Sequence, residues 1–127
     1  MVMAQPTRVL IVDDSAHARE GLRALLKTRP EFEIAGEAAN GLAAVQLVAE
    51  CLPDVVLMDL QMPGLDGVQA TRLIKQQWPA VTVIVLSMFA TEQQVVLAAG
   101  ADAFVLKEGA PERLLAALGV PGARRKP

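Results

Sequence analysis

Short, nearly continuous apolar runs alternate along the chain with longer stretches in which apolar residues recur every three or four positions. Val9-Leu10-Ile11-Val12, Val55-Val56-Leu57-Met58 and Val81-Thr82-Val83-Ile84-Val85-Leu86 are rich in β-branched residues. Runs of this kind suit strands buried on both faces, as in a parallel sheet. Phe32-Glu33-Ile34-Ala35 and Ala103-Phe104-Val105-Leu106 are weaker and read as edge strands. The gaps carry helical periodicity. Ala18, Leu22, Leu25 and Leu26 share one face of a helix ending near Pro30, and Leu42, Val45 and Val48 mark a second helix capped by Asn40. Val68, Leu73 and Ile74 mark a third, stopped at Trp78-Pro79. Thr91 with Gln94 reads as a capping box opening a fourth, and Gly100 should end it. Pro111 fits the first turn of a fifth, which runs through Leu114, Leu115 and Leu118.

Strand and helix thus alternate five times. Right-handed crossovers turn that order into an α/β fold, a doubly wound five-stranded parallel sheet with helices on both faces. The chain has 127 residues, enough for one domain with a real core. Residues 1–120 are expected to form it, with 121–127 as a flexible tail or truncated linker. Hydrophobic residues make up 53% and charged residues 20%, which excludes disorder as the default. A net charge of -2 gives no footprint for nucleic acid. The longest apolar stretch, 81–90, is too short to span a bilayer. Contact with nucleic acid or membrane is therefore not expected. The single Cys51 excludes an internal disulfide and fits a reducing cytoplasm. It reads as a small core residue, and Met58, Met62 and Met88 read as packing residues.

The chemistry gathers at strand ends. In an open parallel sheet, ligands bind beyond the carboxyl ends of the strands, where the strand order reverses. The first run ends in Asp13-Asp14, the third in Asp59, the fourth in Ser87 and the fifth in Lys107. The second ends in Ala38, with only Glu37 nearby. With strand order 2-1-3-4-5, the four reactive ends become neighbours. Three acids drawn together repel one another, so the site needs raised pKa values or a cation. Hard oxygen ligands favour Mg²⁺. A bound metal would attract a phosphate dianion, whose other oxygens Lys107 and the Ser87 hydroxyl could take. Asp59 is the candidate nucleophile, since carboxylates form acyl phosphates. Each residue alone has a plainer reading: Asp13 and Asp14 as turn or cap residues, Lys107 as a solvated lysine, Ser87 as a strand-end hydroxyl, and Phe104 as core. Joint placement favours the site. His17 reads as an exposed residue at the start of the first helix.

Val12-Asp13-Asp14-Ser15, then Met58-Asp59-Leu60-Gln61-Met62-Pro63-Gly64-Leu65-Asp66-Gly67, then Leu86-Ser87, then the stretch from Gly100 to Lys107 together resemble a two-component response-regulator receiver domain. The likeness spans residues 8–118. It implies the flavodoxin-like (CheY-like) sheet of order 2-1-3-4-5 with five helices. It also implies Asp59 as phospho-acceptor and Asp13, Asp14, Asp59 and the Gln61 backbone carbonyl as ligands of Mg²⁺. Ser87 takes the place of the hydroxyl that moves to the phosphoryl group, Lys107 that of the lysine contacting it, and Phe104 that of the aromatic that follows the hydroxyl. Gln61 and Phe89, two residues beyond Asp59 and Ser87, are implied to influence phosphate lifetime.

The implied function is a phosphorylation switch. A histidine kinase or phosphotransfer protein would phosphorylate Asp59, and the domain would catalyse only its own phosphorylation and dephosphorylation. An effector domain or downstream protein would read the face of the fourth helix, fifth strand and fifth helix, and a phosphorylation-dependent homodimer is a further expected partner. Ser87 stands where threonine is commoner, and Phe104 where tyrosine is. Lys107-Glu108, where many receivers have proline after the lysine, is similar to the NarL/FixJ-type subgroup, whose members carry a DNA-binding helix-turn-helix. A haloacid-dehalogenase-type phosphatase would also place a nucleophile at Asp59, but needs a second acid where Gln61 stands. A flavodoxin would need a Ser/Thr/Gly-rich phosphate loop where Asp13-Asp14-Ser15-Ala16-His17 stands. A receiver fold serving only as a scaffold is the remaining rival.

Overall fold

The computed structural model describes residues 5–61, 66–108 and 110–119. Its elements run β1 (Thr7–Val12), α1 (Ala16–Lys27), β2 (Phe32–Ala38), α2 (Gly41–Cys51), β3 (Val55–Asp59), α3 (Gly67–Gln77), β4 (Thr82–Ser87), a 3-10 turn (Ala90–Glu92), α4 (Gln93–Ala98), β5 (Ala103–Leu106) and α5 (Ala110–Gly119). The strands form one parallel sheet of order β2-β1-β3-β4-β5. That is the doubly wound order the strand ends required. The order reverses between β1 and β3, so their carboxyl ends open a crevice.

Strand periodicity splits the core into two layers. Leu10, Val12, Val56, Met58, Val83 and Val85 point to one side and pack with Ala44 and Val48 of α2, Ala70 and Ile74 of α3 and Val96 of α4. Val9, Ile11, Val55, Leu57, Ile84 and Leu86 point to the other and pack with Leu26 of α1 and Leu114 and Leu118 of α5. Both faces are covered, which is why the central strands read as continuous apolar runs.

The helix ends follow local chemistry. Ser15, Asn40 and Asp66 cap α1, α2 and α3, their side chains accepting the backbone N–H of Ala18, Ala43 and Gln69. Gly100, with φ of 108°, follows the end of α4 in a backbone region that disfavours other residues.

Several local expectations are corrected. The buried face of α2 is Gly41, Ala44 and Val48, while Leu42 is exposed. Small residues let α2 lie close to the sheet. Thr91 and Gln94 form no capping box: the chain enters α4 through a 3-10 turn, and Glu92, at the cap position, turns its carboxylate elsewhere. Met88 is 60% exposed and Cys51 is partly exposed, so neither is core. Gly119 is the last residue of α5. β2 ends at Ala38, as its run does in the sequence, and pairs there with Val12. Met62, Pro63, Gly64 and Leu65, Gly109 and positions 120–127 lie outside the described residues, and with them the expected packing of Met62 and the expected tail. Among the described residues no helix is long and apolar enough to cross a membrane.

Candidate functional site

Asp59 is the last residue of β3, and Asp13 and Asp14 directly follow β1. Because β1 and β3 are adjacent and in register, with Val12 opposite Met58, these ends meet. One carboxylate oxygen from each of Asp13, Asp14 and Asp59 lies within 4.8 Å of the others. Asp13 and Asp59 are each only 2% exposed, while Asp14 is exposed. Asp13 is held from three sides. Its N–H donates to Ala38 O at 3.0 Å, its Oδ1 accepts Ser15 N–H at 2.9 Å, and its carbonyl accepts Arg19 Nη1 at 2.7 Å. Arg19 and Arg23 also engage Glu37 of β2. Glu37 is thereby tied into a structural ion-pair group beside the acids.

Lys107 follows β5 and reaches back across the crevice. Its Nζ lies 2.9 Å from Asp59 Oδ1 and 3.4 Å from Asp13 Oδ2. Its N–H donates to Ser87 O at 2.8 Å, which fastens it to the end of β4. Asp59 Oδ1 is fully buried, and although charge-paired with Lys107 it has no hydrogen bond of good alignment. Burial pushes the Asp59 carboxyl above the usual carboxylate range. The Lys107 ammonium opposes this, the Asp13 charge adds to it, and a backbone hydrogen bond from Gln61 opposes it weakly. For Lys107, burial works against the charged form, but Asp59 and Asp13 together outweigh it and raise its pKa above the ordinary lysine value.

The backbone geometry here tolerates no side chain at Gly67. A Cβ there would lie 2.4 Å from Asp59 O and 2.8 Å from Leu60 Cα. The start of α3 therefore packs directly on the strand end that carries Asp59, which only glycine permits.

Two buried acids some 5 Å apart repel by about 3 kcal/mol at an effective dielectric near 20. One ammonium faces three carboxylates, so negative charge remains in excess. All three offer hard oxygen atoms, and one buried oxygen lacks an aligned partner. This donor set fits Mg²⁺, which takes a few carboxylates and keeps water on its remaining positions.

Ser87 is fully buried at the end of β4. Its hydroxyl does not face Asp59: it bonds to Glu92 Oε1 and lies 3.2 Å from Phe89 O, while accepting Phe89 N–H at 3.0 Å. Phe104 of β5 is half-buried against the core and lines a cleft of about 360 Å³ with Ala90, Gln93 and Arg113. Gln61 is exposed, and its side-chain amide donates to Glu92 Oε2 at 3.2 Å. His17 is exposed. The sequence reading missed Arg19, Gly67 and Glu92 as residues that shape the site. Gly67 alone carried a signal, as the last residue of the run after Asp59.

The fold has counterparts among known proteins. The family model described as "Response regulator receiver domain" matches residues 9–119. The chain is 41% identical over 121 residues to an uncharacterized transcriptional regulatory protein, YhcZ, of Bacillus subtilis, covering 94% of this chain and 56% of that protein. The response regulator domain of Thermotoga maritima CheB superposes with a TM-score of 0.87 at 32% identity, covering 97% of this chain and all of that one. A LuxR-family two-component response regulator from Aurantimonas sp. SI85-9A1 gives 0.88 at 35% identity, covering 95% and 88%. The chain spans about half the length of the first curated relatives it matches. Members of this family catalyse their own phosphorylation and its loss, turn over no external metabolite, and work between kinases and effectors. A sheet of order 2-1-3-4-5, a Mg²⁺-type acid cluster at its switch point and a family match over nearly the whole chain lead to one conclusion: the chain belongs to the CheY-like response-regulator receiver domains and is related to those of NarL/LuxR-type regulators.

Proposed function

We propose that Asp59 is the phospho-acceptor of this receiver, with Lys107 and Ser87 as the groups that take the phosphoryl oxygens. The observation that carries this reading is the Lys107 ammonium, drawn from β5 onto a buried Asp59 carboxylate beside the Asp13 and Asp14 acids. Asp13, Asp14, Asp59 and the Gln61 backbone carbonyl would hold Mg²⁺, which when bound supplies charge neutralisation for acids and phosphoryl oxygens alike. An Asp59 oxygen forms the new P–O bond as the donor's P–N bond to imidazole breaks, and the bonding pair leaves on the imidazole nitrogen. Lys107 is already in place to balance charge that builds on the transferring group.

The donor is a sensor histidine kinase or phosphotransfer protein. Phosphorylation draws Ser87 toward the phosphoryl group and lets Phe104 turn inward into the cleft between α4, β5 and α5. An effector domain or downstream protein reads that altered face, and a phosphorylation-dependent homodimer is a second outcome of the same change. The ligand shifts the equilibrium through its different contacts in the two states. A cytoplasmic location fits the lone cysteine and the kinase partner.

Incubation with Mg²⁺ and a small acyl phosphate, read by intact mass, tests the acceptor. One phosphoryl group is expected on the wild type and none on Asp59→Asn or without metal. Equal incorporation into Asp59→Asn would overturn the assignment.

A further inference from the structure

Glu92 belongs to none of the roles above, yet it touches two groups that flank Asp59. It stands at the end of the 3-10 turn, half-buried, and among the described residues no cation pairs with it. One carboxylate oxygen accepts the Ser87 hydroxyl, whose other acceptor is the neutral Phe89 carbonyl at 3.2 Å. The other accepts the Gln61 amide at 3.2 Å. A single side chain from the start of α4 thus ties the end of β4 to the segment that follows β3.

A serine hydroxyl has one proton to donate. Ser87 cannot give it to Glu92 and to a phosphoryl oxygen at the same time. A carboxylate is also a strong competitor, since a hydrogen bond to an ionised acceptor is about twice as strong as a neutral one. We propose that Glu92 is a resting-state latch, a positioning residue that holds the Ser87 hydroxyl away from Asp59 until a phosphoryl group displaces it. This rests on the reading of Ser87 as a phosphoryl-binding group. An arriving dianion repels Glu92 and competes with it for the Ser87 proton, so release of Ser87 also frees the entry to α4. The latch therefore couples chemistry at the strand ends to the helix next to the Phe104 cleft. It also taxes binding, because only the unlatched fraction is competent.

The test is a titration of the intact chain with beryllofluoride in the presence of Mg²⁺, followed by amide NMR, which also reports whether each variant is folded. Glu92→Ala is expected to tighten binding roughly tenfold, the size of one charge-assisted hydrogen bond no longer opposed. Glu92→Gln, which keeps an acceptor but loses the charge, is expected to gain less. Ser87→Ala should bind more weakly than wild type, and adding Glu92→Ala to it should change nothing. Unchanged or weaker binding by Glu92→Ala overturns the latch. So does an equal gain in the Ser87→Ala background, which would reflect charge repulsion alone. If Asp59→Asn or Ser87→Ala binds as the wild type does, the phosphoryl-site reading itself fails and the latch with it. If both lose affinity while Glu92→Ala does not gain, only the latch falls.

Discussion

The domain contains two lysine–aspartate pairs of the same length and opposite character. At the amino end of β4, Lys75 Nζ donates to Pro79 O at 3.0 Å, Val81 O at 2.7 Å and Asp102 Oδ2 at 2.9 Å. The same Asp102 oxygen accepts Val83 N–H at 2.8 Å. Three donors meet three acceptors, and the ammonium is saturated. At the carboxyl end, Lys107 also lies 2.9 Å from an aspartate, but it faces an excess of acid, and Asp59 Oδ1 has no aligned hydrogen bond. The first pair pins α3 to the β4–β5 edge. The second leaves unspent charge where a cation and an anion can enter. A lysine–aspartate distance alone does not separate structure from chemistry; the balance of donors and acceptors around it does.

Exchanging the lysines should separate the two roles. Lys107→Ala is expected to slow phosphoryl incorporation from a small acyl phosphate by about a hundredfold, the usual scale for one lost electrostatic contact to a transferring group. Time-resolved intact mass would measure it, and a rate within a factor of two of wild type would place the charge balance elsewhere. Lys75→Ala is expected to leave that rate alone and to lower unfolding stability by about 2 kcal/mol, because backbone acceptors lose their donor. Urea denaturation checks this, and a slowed phosphorylation rate with intact stability would reverse the assignment.

The smallest effect is the pH dependence of the metal-free protein. The Asp59 carboxyl is raised in the fold, so between its unfolded and folded pKa values the native state binds more protons. Stability should therefore rise as pH falls through that window, relative to Asp59→Asn. Lys107 is raised too, so its contribution is intact below the ordinary lysine pKa and is lost only as pH climbs through its folded value. Thermal unfolding of wild type and Asp59→Asn from neutral to mildly acidic pH would show the two curves converging. Saturating Mg²⁺ should flatten the difference, since the metal neutralises the same acids.

Much of this was legible in the residue pattern. Continuous β-branched runs mark the central strands covered on both sides, and the strand ends, the weaker fifth included, already offer Asp13-Asp14, Asp59, Ser87 and Lys107 as the candidate site. The less legible parts depend on packing. Leu42 and Met88 are apolar residues at positions the fold leaves exposed, because small residues on α2 make the close contact and the chain after β4 turns outward. The capping box at Thr91 failed because Thr91 lies inside a 3-10 turn, which puts Glu92 at the cap position of α4.

The sequence by itself determined the alternation of strand and helix, the chemistry of each strand end and the family. These follow from periodicity and residue type, which are local properties. The tertiary structure alone decided how charge is shared: Lys107 lies on Asp59 rather than in solvent, Arg19 grips the Asp13 carbonyl, and α3 begins so close to β3 that Gly67 has no room for a side chain. It also turned the Ser87 hydroxyl toward Glu92. Contacts of this kind join residues as much as 94 positions apart, as Lys107 and Asp13 are, and their energies depend on distance, burial and the number of competing partners, which only the folded chain sets.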